Sequence, residues 1–108
     1  MRSIVLAALA VLAAAPAVAP ALADEVSAVQ AVRKQSRVVD TMLDNGGNLY
    51  VAVKPTAGAW DQFGAYLCNV VRPHHARIFR IRVIDLTSMG AGKPPAAWRK
   101  LAEANCGR

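Results

Sequence analysis

The chain is poor in the residues from which small reactive sites are built. It has two cysteines and two histidines among 108 residues. Cys68 and Cys106 stand far apart, in no nucleophile motif and with no second sulfur at metal-ligand spacing. His74 and His75 are neighbours in a connection, and no nearby Cys, Asp or Glu completes a ligand set around them, which argues against a zinc site. Acidic residues number only seven. Asp40 and Asp44 are one helical turn apart, but the polar side of a helix is an ordinary place for such a pair. Internal repeats and low-complexity stretches are absent after residue 23, which excludes solenoid and fibrous architectures. Phosphate-binding loops are missing as well. Gly46-Gly47 precedes a strand instead of following one, and Gly90-Ala91-Gly92-Lys93 lacks the closing Ser or Thr. No cofactor and no metal is called for by any of these patterns.

Charge of one sign is in excess: 13 Lys and Arg against the seven acids give a net +6. Part of the 55% hydrophobic content is concentrated at the start of the chain. Arg2 is followed by an apolar run from Ile4 to Ala15, broken by Pro16 and Pro20. Ala21-Leu22-Ala23 then places small residues where a signal peptidase reads, and Asp24-Glu25 switches to charge. This is the plan of a cleavable export signal over residues 1–23. It is too short for a membrane anchor, which needs about 20 apolar residues. With no cysteine at the cleavage site and no twin-arginine pair, ordinary export is expected, with a periplasm as the destination. Residues 24–108 remain as one domain, without a transmembrane anchor after cleavage. Export also makes nucleic acid an unsuitable partner for the basic charge. An acidic protein or an anionic envelope component suits it better.

In an oxidising compartment two cysteines read as a disulfide. A Cys68–Cys106 bridge would close a loop of about 39 residues, and chain entropy assigns it roughly 4 kcal/mol. That is a large part of the about 5–10 kcal/mol that holds a small domain together.

Along the mature chain, Ser27 with Gln30 reads as a capping box. Val26, Val29, Val32, Val39 and Leu43 recur at helical spacing, predicting a helix over Ser27–Leu43 that is stopped by Asn45-Gly46-Gly47. Leu49–Lys54 alternates as a strand. Trp60, Phe63, Leu67, Val70 and Val71 predict a second helix over Ala57–Val71, with Gly64 allowing close packing against the strand. Arg77–Asp85 alternates again, with Phe79, Ile81 and Val83 on one face. Pro94-Pro95 suits the first turn of a third helix. Trp98, Leu101, Ala102 and Asn105 would face inward from that helix, and Cys106 would end it.

The expected fold is therefore a small α/β domain in the order helix, strand, helix, strand, helix. Its core would be a two-stranded parallel βαβ unit. Two strands make a meagre sheet with both edges open, so pairing of two copies is expected to extend it. The strand alternation places Tyr50, Lys54, Arg80 and Arg82 on the face away from the crossover helix. Arginine forks recognise carboxylates and phosphates bidentately, and tyrosine adds a flat amphipathic contact. Asp85 closes the second parallel strand, where ligands of such sheets gather. These five residues are the candidate binding set. The expectation is an exported, non-catalytic binding or accessory protein of the bacterial envelope. The alternatives are a small hydrolase-like envelope enzyme using Asp85 with nearby basic residues, and a purely structural dimer.

Overall fold

The computed structural model describes residues 20–107. Arg2, the apolar run Ile4–Ala15 and Pro16, on which the export signal rests, lie outside them. Helix α1 spans Pro20–Arg33, so a cut after Ala23 would fall within its first turns. Strands β1 (Asp40–Leu43) and β2 (Asn48–Val53) follow, then helix α2 (Trp60–Val71), β3 (Arg80–Asp85) and β4 (Lys100–Asn105). Short 3-10 turns occupy Arg72–His74, Leu86–Ser88 and Pro95–Ala97. The four strands form one mixed sheet in the order β1-β2-β3-β4. This is a small α/β fold with two helices among the described residues, and its sheet has twice the strands that the sequence pattern predicted.

Helix α1 ends ten residues before Leu43, where the expected helix was to stop. Its last backbone groups are met locally: Gln35 donates its side-chain amide to the Ala31 carbonyl. Beyond it, Val38, Val39, Asp40 and Thr41 are all weak helix formers, three of them stiff at χ1. They extend into β1, which pairs antiparallel with β2 from Asp40↔Ala52 to Leu43↔Leu49. The fourfold spacing of Val39 and Leu43 was thus coincidental, and Val39 is half exposed. Ser27 caps nothing in this arrangement. It lies inside α1, and its hydroxyl donates to the Asp24 carbonyl. The Asn45-Gly46-Gly47 segment becomes the turn of a hairpin. There the Asp44 carboxylate accepts from the amides of Gly46 and Asn48. Gly47 has φ +82°, and a Cβ there would come within 2.5 Å of the Phe79 ring.

Strands β2 and β3 run parallel in register from Asn48↔Arg80 to Val53↔Asp85, with α2 between them in sequence. Leu49, Val51, Val53, Ile81 and Val83 are fully buried on one face of the sheet. Ala28 and Val32 of α1 and Leu67, Cys68 and Val71 of α2 pack with them in a single cluster. Ile78 is in that cluster, whereas Phe79, expected inside, is 39% exposed. The alternation fails there because β3 begins only at Arg80. The amides of Phe79 and Arg80 both donate to the Gly47 carbonyl, which rotates the chain ahead of the strand.

The largest correction concerns the end of the chain. The third helix is absent: a single 3-10 turn follows the prolines, and Lys100–Asn105 is strand β4, antiparallel to β3. Lysine, leucine, alanine and glutamate all favour helix in isolation. Tertiary demand overrides them here, because β3 would otherwise present an unpaired edge beside the core. Ala102 and Ala104 point inward, and their small size admits α2 closely. A Cβ on Gly64 would meet that of Ala104 at 3.2 Å. Cys106, directly after β4, is disulfide-bonded to Cys68 of α2. The bridge therefore ties the end of β4 to α2, and does not join two helices.

Candidate functional site

The sheet face away from the helices divides into a covered half and an open half. Tyr50, Ala52 and Ile84 are buried on it, at 7% exposure or less. The covering comes from the connection between β3 and β4. Trp98 meets the Tyr50 ring edge-on with centroids 5.6 Å apart, and Met89 lines the same small recess. Trp98, expected to face the core from a helix, instead lies outside the core cluster and covers the outer face from an irregular connection. The open half carries Asn48, Arg80, Arg82, Glu103 and Asn105, placed side by side by the registers of β2, β3 and β4.

Three of the five predicted site residues, Tyr50, Arg80 and Arg82, meet where the two halves join. The Arg80 guanidinium pairs through Nε with Glu103 at 3.1 Å, and Arg82 Nε lies 3.7 Å from the other Glu103 oxygen. Lys100 donates to the same carboxylate. Arg82 also lies over the Tyr50 ring, 5.7 Å from its centroid, and its Nη1 is 3.4 Å from the Tyr50 hydroxyl. Asn48 links the network to Asp44: its side-chain amide donates to Asp44, and its carbonyl oxygen lies 3.4 Å from Arg80 Nη1. The Lys100 ammonium is the main cause that holds the Glu103 carboxyl below its usual range. Burial opposes it, and Arg82 and Arg80 add to it. For Asp44, burial pushes upward, but donors on Asn48, Gly46 and Tyr50 outweigh it and leave the carboxyl lowered.

The other two candidates lie elsewhere. Asp85 is buried at 1% exposure. Its carboxylate accepts from the Thr87 hydroxyl and amide and is ion-paired with Arg99. Those hydrogen bonds, the Thr87 hydroxyl first, hold its pKa down against burial. Asp85 therefore caps the 3-10 turn after β3 and anchors the loop over Tyr50. Lys54 follows the end of β2 and is exposed. It lines a separate cleft with Ser36, Arg37, Val39, Thr56 and Trp60.

Sequence reasoning missed Glu103 and Asp44, the two acids that organise the open face, because both had been given to helices. Only knowing that Lys100–Asn105 is a strand puts Glu103 opposite Arg82. His74 Nδ1 and Ser27 Oγ are 2.8 Å apart and share a hydrogen bond. Among the described residues no acidic side chain orients that imidazole, and no group of three His, Cys, Asp or Glu converges as a metal site. No described helix is long and apolar enough to cross a membrane. No protein-family model, curated protein or solved structure matches this chain.

Proposed function

We propose that the protein is an exported, non-catalytic binding protein of the bacterial envelope, which docks an acidic protein partner on the open half of the outer sheet face. One observation carries this reading: Arg80 and Arg82 stand on that face with their Nε atoms turned toward the shared Glu103 carboxylate. Glu103 orients Arg80, and the Tyr50 ring and hydroxyl hold Arg82 beside the same carboxylate, while most of their terminal N–H donors are left for carboxylates of a partner. The strip is polar and open, spread across three strands beside the packed Tyr50–Trp98 pair, which suits a protein surface better than a small ligand. The disulfide fits folding in an oxidising periplasm. Asp85 offers no support for a hydrolase, since Thr87 and Arg99 engage its carboxylate. Pairing of two copies is not needed to enlarge a two-stranded sheet, since the sheet has four strands within one chain.

The test is capture of a partner from envelope extract by the mature protein. Arg80→Glu with Arg82→Glu should abolish capture, and Arg80→Gln with Arg82→Gln should weaken it, with circular dichroism unchanged in both. Undiminished capture by the folded variants would overturn the proposal.

A further inference from the structure

A second basic region, distinct from the sheet face, sits at the carboxyl end of β2. Here Lys54, Arg37 and Trp60 line a cleft of about 290 Å³ together with the hydroxyl residues Ser36 and Thr56 and the apolar Val39. That volume is at the small end of ligand pockets and suits a molecule of about one ring. In sheets with parallel strands, ligands settle in the crevice beyond the carboxyl ends of the strands. β2 and β3 are the parallel pair here. The end of β3 is filled by the Asp85–Arg99 pair, so the end of β2 is the one left open.

The charges in this cleft differ in kind from those around Glu103. Neither Arg37 nor Lys54 has an acidic partner among the ion pairs of the described residues. Arg37 is held instead by aromatic rings. Its guanidinium carbon lies 4.9 Å from the Trp60 ring centroid and 5.9 Å from that of Phe63. Trp60 is itself oriented, because its indole N–H donates to the Thr56 carbonyl at 3.0 Å. Gly58 leaves room beside the guanidinium, where a Cβ would come within 3.2 Å of Nη1. Contact with ring carbons fixes the position of a cation without using its N–H donors. The result is a guanidinium seated on aromatic rings, an exposed ammonium and hydroxyl residues around one small cleft.

We propose that this cleft binds a phosphate monoester carried on a small organic group. Arg37 and Lys54 take the phosphate oxygens, and Val39 and Trp60 flank the organic part. Two cations match the charge of a monoester, and a planar fork with a point-charge ammonium suits tetrahedral oxygens. The site is independent of the sheet-face reading and uses none of its residues.

The test is a titration of the mature, disulfide-bonded protein followed by nitrogen-15 NMR, with glucose 1-phosphate as the probe. Saturable shifts are expected at the Trp60 indole N–H and at the amides of Arg37, Lys54 and Thr56, with Kd of about 1 mM or tighter. The Trp98 indole should not move. Lys54→Gln, a change at an exposed position, should weaken binding roughly tenfold, and Arg37→Gln by at least as much. Arg80→Gln with Arg82→Gln should leave it unchanged. Vesicles containing phosphatidic acid form a parallel arm. Shifts there without response to the soluble ester identify a lipid headgroup as the source, and the reverse identifies a free ester; either supports the phosphate assignment. Equal response to uncharged glucose, no saturable shift at Trp60 in any arm, or full binding by the Lys54→Gln protein would overturn it. Inorganic phosphate binding as tightly as the ester would overturn the role given to Val39 and Trp60.

Discussion

The inner and outer faces of the sheet come from the same strands by simple alternation, yet different physical quantities govern them. Inside, the deciding quantity is volume: Val51 and Val83 fill space, Ala102 and Ala104 leave it, and Gly64 of α2 uses what they leave. Outside, it is charge: one carboxylate, Glu103, serves Arg80, Arg82 and Lys100. A packed face resists change of shape and is indifferent to salt. A charged face accepts change of shape but responds to salt and pH.

Four experiments would break or sharpen that contrast. The largest effect is expected from the bridge behind the inner face. Replacing Cys68 and Cys106 by serine should cost about 4 kcal/mol, lowering the melting temperature by roughly 15–30 °C. A loss of only a few degrees would show that packing alone holds β4 in place. Next comes overpacking. Gly64→Val pushes a branched side chain into Ala104, and about 2–3 kcal/mol should be lost equally at low and high salt. A marked salt dependence would mean that the two faces are not separately governed.

The outer face should respond less. Glu103→Gln leaves three cations facing one another across a half-exposed strip, and solvent screening limits the cost to about 1 kcal/mol. That loss should shrink as salt is added, the opposite of the Gly64→Val result. The smallest and most graded effect is that of acid. Asp44, Asp85 and Glu103 have carboxyls held below their reference values of 3.8 for aspartate and 4.5 for glutamate. Groups with lowered native pKa bind fewer protons folded than unfolded. Their contribution is complete above the reference values and fades as pH falls through the native ones. Melting temperature should therefore stay level from neutrality down to about pH 5 and decline below about pH 4. Glu103→Gln should flatten that decline, and Gly64→Val should displace it without changing its slope.

The same division separates what was legible in the sequence from what was not. β2, α2 and most of β3 were readable because each declares its own period. The parallel strands set branched residues at every second position, and α2 repeats its apolar positions every three or four residues. The failures lie at β1 and β4, the two edge strands. β1 has four residues, too few to show a period, and Val39 just before it and Leu43 at its end happened to continue the spacing of α1. β4 has the composition of a helix, and its strand state exists only beside β3. The candidate site failed in the same place. Tyr50, Arg80 and Arg82 were found because they sit on strands whose alternation is plain. Glu103 was missed because its strand was. Lys54 shares their parity, but it lies past the end of β2, where parity no longer says which neighbours a side chain meets.

Local chemistry by itself determined the central strand–helix–strand unit, the pairing of the two cysteines, and the excess of cations. Each follows from residues close in sequence or from simple counting. Only the tertiary structure decided which cations are neutralised, which are left open, and that the last segment is a strand. Those outcomes depend on contacts between residues far apart in the chain. A segment of weak or opposite local preference takes whatever conformation satisfies the exposed backbone and the unfilled space next to it.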